Sequence, residues 1–316
     1  AEREGLCRRE GVTRVVFAYS DVSHAAVMHL ASRALAAGAD VLLPGPDCTM
    51  LPARVPVIAI SAIRTGCGKS QTARWLGRRL RARGLRVAVL RHPMAYGDLE
   101  RQRVQRFATG ADLDAAGCTV EEREEYEPHL AAGNVVFAGV DYAAIVALAQ
   151  READLIVWDG GNNDFPFVRP DLHIVMADAL RPGQAAAYHP GEAVLRMADV
   201  VVVNKVDVAA AADVEGVVDE VRGVNPRAPV VRAASPVRLD DPGRVRGRRV
   251  LVVEDGPTLT HGGMAWGAGF VAATRGGAAA VVDPRESAHP DILAVFARYP
   301  HIGRVLPAVG YGAAQL

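Results

Sequence analysis

Gly68-Lys69-Ser70 closes the stretch VIAISAIRTGCGKS at residues 57 to 70, where an apolar run of strand type opens onto a loop of small residues. The following QTARWLGRRLRARG reads as a helix. The chemistry implied is phosphate binding. Small residues let backbone N–H groups surround phosphate oxygens, Lys69 reaches the outer phosphoryl oxygens, Ser70 offers its hydroxyl to Mg²⁺, and the helix N-terminus faces the anion. Thr65, Gly66, Cys67, Gly68, Lys69, Ser70 and Gln71 are thus the expected nucleotide contacts. The loop departs from the full pattern at its first position, where Ile63 replaces Gly. Arg64 beside it either reaches a phosphate as a catalytic cation or pairs with an acidic side chain.

A second constellation begins ninety residues after Lys69 with LIVWDGG, a buried-type strand ending in Asp159. A carboxylate at that place holds Mg²⁺ directly or through water. Asn162, Asn163 and Asp164 follow immediately, either as substrate contacts or as side chains closing an Asx turn. After a run of four valines, Asn204-Lys205-Val206-Asp207 matches the N-K-x-D pattern, in which a carboxylate accepts from the guanine edge and the lysine stem packs over the ring. Base contact by Asn204, Lys205 and Asp207 is expected, and GTP is possible beside ATP.

The end of the second strand of this region carries Arg91-His92-Pro93, and carboxyl ends of strands beside such a loop point into the active crevice. Arg91 and His92 are expected to bind substrate or phosphate, and Asp98 to be a second metal ligand. The segment containing Arg101, Arg103 and Arg106 reads as a helix with Val104, Phe107, Ala108 and Ala111 buried, its arginines solvated or turned to substrate. The acidic run EEREEYEPH is either an exposed helix start or a segment that brings Glu127 and His129 to the crevice. Arg181 and His189 lie in a polar, turn-rich loop, too long for a plain connector, which reads as a lid or substrate loop.

These residues need strands to carry them. Continuous Val/Ile/Leu runs at 57–62, 86–91, 134–137, 154–159, 172–176, 199–203 and 229–232 suit strands covered on both faces, alternating with helical segments. The expected fold is α/β, a doubly wound, mostly parallel sheet of the P-loop NTPase kind over residues 54–240. Residues 1–53 read as a partial Rossmann-like βαβ unit, which either completes its sheet with further chain or docks on the P-loop region. Residues 241–316 read as a small C-terminal α/β unit. Half of the 316 residues are apolar, and Lys+Arg and Asp+Glu both number 36. That balance implies no general attraction to nucleic acid or anionic membrane, so any polyanion site must be local. Cys7, Cys48, Cys67 and Cys118 have no zinc or disulfide spacing, and no apolar run approaches a membrane span. A cytoplasmic protein is expected. The first residue is Ala, which suggests a trimmed or incomplete chain.

The stretches AIRTGCGKSQT, VLRHPMAYGDLE, VQRFAT, EEREEYEPH, WDGGNNDFPF, LRPG, YHPGE, LRMADVVVVNKVD and VEDGPTLTHGGM together resemble the cyclic 2,3-diphosphoglycerate synthetases and related bacterial proteins. A more distant likeness, at His92-Pro93 and Glu127-Pro128, is to dethiobiotin synthetase. The resemblance implies an ATP- and Mg²⁺-dependent ligase that closes an intramolecular phosphoanhydride in 2,3-diphosphoglycerate, releasing ADP and phosphate. Two polyanions would then meet, and a cationic cluster drawn from Arg64, Arg91, His92, Arg101, Arg103, Arg106, Arg181 and His189 would neutralise them. The implied partner is a small phosphorylated molecule, with the chain acting as a homodimer. The rival reading is a GTPase switch of the metallochaperone type, favoured by the N-K-x-D pattern and opposed by the lack of CxCC or His-rich motifs.

Overall fold

The computed structural model describes residues 2–92, 97–161, 163–260 and 262–309, so the expectation for Asn162 lies outside the described residues. The chain forms two compact units, Ala1–Ala233 and Ala234–Leu316.

The first unit is built on eight strands: β1 Val57–Ala62, β2 Val87–Arg91, β3 Gln105–Phe107, β4 Val135–Ala138, β5 Leu155–Asp159, β6 Leu172–Asp178, β7 Val200–Asn204 and β8 Val230–Arg232. Their order across the sheet is β8-β7-β6-β1-β5-β2-β4-β3. Every pairing is parallel except that of the edge strand β3 with β4. Side chains alternate between the faces of a strand, and β1 shows it directly. Ile60 and Ala62 join a core with Ala73 and Leu80 of the helix Lys69–Arg81 and Val217 and Val221 of the helix Ala211–Val224. Val57 and Ala59 face the opposite way, against Ile145 and Ala149 of the helix Tyr142–Glu152. Helices therefore cover both faces, which is the doubly wound architecture.

Seven strands fall where the apolar runs predict them. The edge strand β3 does not, because residues 105–107 are extended where a helix is expected. Their alternating exposure, with only Phe107 buried, is the half-covered pattern of an edge. The helix that follows is shorter and later, Gly110–Ala116, and starts in a capping box made by Thr109 and Asp112.

Ahead of the sheet, Arg14–Val16 and Asp40–Leu42 pair in parallel around the helix His24–Ala36, the βαβ unit read from the sequence. A two-residue strand, Val22–Ser23, pairs antiparallel with Tyr188–His189. This ties the βαβ unit to the loop between β6 and β7.

The second unit holds two small parallel pairs, Arg249–Val250 with Ala280–Val281 and Val253–Asp255 with Leu306–Ala308. The run GRRVLVVED thus breaks into two strands. Glu254 explains part of the local order. Its carboxylate accepts from the backbone N–H groups of Gly267, Gly269 and Phe270, which fixes the start of the helix Ala268–Arg275. None of the helices among the described residues is long and apolar enough to cross a membrane.

Ile60 is fully buried on the central strand, so Ile60→Ala should destabilise the protein by about 2–5 kcal/mol, since a cavity adds to the lost transfer energy. Urea unfolding of the variant should show a lower midpoint with an unchanged slope.

Candidate functional site

The carboxyl edge of the sheet is where polar residues enter an otherwise apolar core. Parallel register sets Arg91 of β2 beside Asp159 of β5, and Asn204 of β7 beside Asp178 of β6. Between these pairs, β1 runs out into the loop that precedes Lys69.

The loop has the conformation that small residues permit. Gly66 and Gly68 lie at φ of 82° and 101°, in the left-handed region. A Cβ on Gly68 would also stand 2.4 Å from the Asn204 amide nitrogen. That amide donates to the Cys67 carbonyl at 2.9 Å, and Lys205 donates to the Gly66 carbonyl at 2.9 Å and to Asp178 at 2.6 Å. Arg181 donates to the Thr65 carbonyl at 2.7 Å and pairs with Asp178 at 3.0 Å. Asn204, Lys205 and Arg181 therefore brace the loop from behind, with buried Asp178 as the counter-ion shared by Lys205 and Arg181. Asp207, the third expected base contact, is exposed, and so is Gln71.

No side chain caps the helix that begins at Lys69, so its first backbone N–H groups remain for another acceptor. Lys69 itself is buried and makes no ion pair or hydrogen bond among the described residues. Burial lowers its pKa from the ordinary 10.5, although Cys67, Asp159 and Asp164 oppose that by favouring the charged form. A nearly buried ammonium with no internal acceptor, beside uncapped N–H groups, is an anion site.

Asp159 is fully buried and receives two partners at 2.9 Å, Arg91 and His129. The Asn134 amide lies 3.2 Å from His129 Nδ1, so Nδ1 accepts and Nε2–H donates to the carboxylate. His129 comes from the helix Val120–Ala131, whose buried face carries Glu122, Tyr126 and His129. Burial alone would raise the Asp159 pKa, but Arg91, the His129 hydrogen bond and Lys69 outweigh it and hold the carboxyl down at about 2. Arg91 also approaches Ser70 Oγ at 3.4 Å, donates to the carbonyls of Asp159 and Gly160 at 3.2 Å, and pairs with Glu125. Expected to meet substrate, it is instead turned inward as the counter-ion of Asp159.

Arg64 is likewise held inside. Its guanidinium pairs with Asp21 at 2.6 Å, hydrogen-bonds Gln184 and lies 3.5 Å over the ring of Tyr188. The second of the two sequence readings, pairing with an acid, is the one observed. Asn163 is fully buried, accepting from the Asp21 backbone N–H at 2.7 Å and donating to the Ile63 carbonyl at 3.1 Å. His189 sits in the short strand against Val22 and edge-on to Phe17. Burial and the neighbouring His24 lower its pKa.

His92 is exposed at the end of β2 and lies 3.3 Å from the Tyr142 hydroxyl. Tyr142 stacks on Phe167, which meets Trp158 edge-on. Asp164 makes no hydrogen bond or ion pair among the described residues, and its charge reaches both Lys69 and Tyr142. Asp98 is exposed, and its carboxylate accepts from the Glu100 backbone N–H at 3.0 Å within a turn. Arg103 is exposed and pairs with Asp141 at 3.2 Å, while Arg106 pairs with Glu152 at 2.7 Å.

Asp21, Glu125 and Asp178 are structural members of this edge missing from the sequence-derived site, whereas of the two residues that one reading of the acidic run brings to the crevice His129 reaches it and Glu127 is exposed and pairs with Arg123. For His129 a signal existed: positions 122, 126 and 129 recur at helical spacing yet carry Glu, Tyr and His where a buried stripe normally has aliphatics. Asp178, at the carboxyl end of a strand beside β1, was findable on the same ground as Arg91.

Residues 129–234 match the family model described as cyclic 2,3-diphosphoglycerate synthetase, P-loop domain. The chain is 55% identical over 315 residues to arginine synthetase ArcE of Thermococcus kodakarensis, a match covering 100% of this chain and 70% of that protein. The chain belongs to the cyclic 2,3-diphosphoglycerate synthetase family. It is a nucleotide-dependent synthetase of the ligase type. Cyclic 2,3-diphosphoglycerate synthetase of Thermococcus gammatolerans is 35% identical over 124 residues, 39% of this chain and 27% of that protein. Among solved structures, LpxK of Aquifex aeolicus is similar over 67% of this chain and 66% of its own, at 17% identity and a TM-score of 0.42. The hydrogenase maturation factor HypB of Archaeoglobus fulgidus is similar over 57% of this chain and 81% of its own, at 15% identity and a TM-score of 0.37. Both structural likenesses are distant.

The depressed Asp159 pKa predicts an acid-labile component of stability. A carboxyl that falls from the ordinary 3.8 to about 2 on folding contributes fully above the higher value, and the contribution is lost as pH falls towards the lower. Unfolding free energies measured from pH 5 to pH 2 should drop through this window in the wild type. Asp159→Asn should lack that component of the pH dependence. An identical slope in both would remove the charge network as its source.

Proposed function

We propose that the protein is an ATP-dependent synthetase that makes arginine from its ureido counterpart, citrulline, and ammonia. The observation that carries this reading is the pairing of charges at the crevice. Arg64, Arg91 and Arg181 are each paired with a buried carboxylate, while Lys69 and Asp164 make no ion pair among the described residues and the Asp164 charge acts on Lys69. Lys69 and the helix N-terminus suit one triphosphate tail. Those three arginines are held inside by their carboxylates and do not face a second polyanion, and Asp164 would repel one. A ureido group is neutral, and an ammonium ion would be welcome beside a carboxylate. The 55% identity to a protein named arginine synthetase supports the same product.

In this reading the ureido oxygen attacks the γ-phosphorus and ADP leaves. Ammonia then adds to the activated carbon, and inorganic phosphate departs with the oxygen, leaving the guanidinium. Lys69 holds the transferred phosphoryl group and the loop N–H groups hold the remainder of the tail. Asp164 attracts the incoming ammonium and takes its proton, so that ammonia is the nucleophile. The donor set also fits Mg²⁺, since Asp159 Oδ1 is buried without a hydrogen-bond partner and Ser70 offers a hydroxyl at the first turn of the helix. Bound there, the ion would neutralise phosphate charge. Arg91 keeps Asp159 ionised, and His129 fixes its orientation.

A second reading, closure of cyclic 2,3-diphosphoglycerate, is favoured by the description of the family model over residues 129–234. Release of ADP separates the two. With ATP, turnover should require citrulline and ammonium together and stay at background with 2,3-diphosphoglycerate. The opposite pattern would sink the arginine reading. GTP assayed in parallel tests the expected base contacts of Asn204, Lys205 and Asp207. Lys69→Ala should lower kcat/KM by about a hundredfold or more, since it removes the buried ammonium that this reading sets against the phosphoryl group.

A further inference from the structure

A cavity of about 470 Å³ opens beside Tyr142, lined by Leu99, Glu100, Arg103, Val140, Asp141 and Tyr142. Its polar groups are of both signs. Arg103 is largely exposed and shares both its Nε and an Nη with a single oxygen of Asp141, at 3.2 Å. The other Asp141 oxygen caps the helix Tyr142–Glu152 by accepting from the Ala144 backbone N–H. Glu100 is exposed and has no ion pair among the described residues. A guanidinium and an unpaired carboxylate facing one cavity match the two charges of an α-amino acid, with the fork of the arginine suited to a carboxylate.

The wall of this cavity leads to the phosphate end of the crevice. Tyr142 belongs to the lining, its hydroxyl reaches His92 at 3.3 Å, and its stacking on Phe167 holds the ring in place. On the far side of His92, a Cβ placed on Gly161 would stand 2.6 Å from an Asp164 oxygen and 3.7 Å from His92 Cβ. Glycine at 161 therefore lets the Asp164 carboxylate and His92 close on the same point of the backbone. Asp164 is in turn the acid whose charge reaches Lys69. Arg103 and Tyr142 line the cavity, and Tyr142, His92 and Asp164 follow one another away from it, Asp164 being the acid whose charge acts on Lys69.

We propose that the cavity beside Tyr142 is the docking site for the α-carboxylate and α-ammonium groups of the amino-acid substrate, with its side chain laid over Tyr142 and past His92 towards Lys69. Arg103 takes the carboxylate and Glu100 the ammonium. The long apolar stem of the substrate rests on the ring, and its ureido or guanidinium end arrives at Asp164. The proposal rests on the arginine-forming reading and adds to it a location and a basis for choosing a free amino acid over a bare amine.

Calorimetric titration of the intact protein tests it, with L-arginine and its decarboxylated analogue agmatine as probes. Wild type should bind arginine more tightly than agmatine. Arg103→Ala should weaken arginine by about tenfold, the loss of one charge-assisted pair, and leave agmatine and ADP unchanged. Glu100→Gln should weaken both amino compounds less than the arginine variant weakens arginine, and leave ADP alone. Equal arginine affinity in wild type and Arg103→Ala overturns the docking site while the arginine-forming reading stands. A parallel loss of agmatine binding overturns it too, because the effect would not run through the carboxylate. A wild type that takes up ADP and neither amino compound overturns the reading itself.

Discussion

Burial of Asp159 sets the terms for the rest of this edge of the sheet. A carboxylate with no solvent exposure is costly to ionise unless cations and hydrogen bonds surround it, and Arg91, His129 and Lys69 supply that environment. Each partner brings its own demand. Arg91 turns its second Nη to Glu125, His129 needs Asn134 to settle its tautomer, and Asn134 needs Gly77, where any Cβ would stand 2.6 Å from its amide oxygen. A helix, two strand ends and a glycine are thereby committed to one side chain.

The same logic recurs on the other side of the loop. Asp178 is fully buried and answers two cations, Arg181 and Lys205, each of which also holds a loop carbonyl. The loop before Lys69 is therefore gripped through its carbonyls, those of Thr65, Gly66 and Cys67. Preorganised N–H groups need no rearrangement when an anion arrives, and that is how a backbone loop can hold charge without spending side chains. Arg91, Arg181 and Lys205 are drawn into this scaffold by the acids they pair with.

Much of this was legible from residue order. The strands at 57–62, 86–91, 154–159 and 199–203 announce themselves as buried aliphatic runs, and the glycines and Lys69 can serve only one kind of loop. What stayed hidden was direction. Arg91, Arg181 and Asn163 are near the phosphate edge as expected, but whether a polar side chain turns out to a ligand or in to a buried partner depends on residues far along the chain. Asn163 meets Asp21 across 142 positions, and Arg181 meets Thr65 across 116. The edge strand 105–107 was misread because Val104, Phe107 and Ala111 mimic a helical stripe over too short a window. The paired acids were the least visible, since nothing local marks Asp21 as the counter-ion of Arg64.

That last pair reaches beyond the site. Arg64 and Asp21 have side chains only 4% and 3% exposed, and they belong to segments that look, by sequence, like separable modules. Removing the acid alone would strand a guanidinium away from water, so neither position can drift without the other. The βαβ segment and the loop must accordingly be inherited as a single unit. In any homologue whose opening segment is exchanged or trimmed past this turn, a neutral side chain should stand at the position after Ile63.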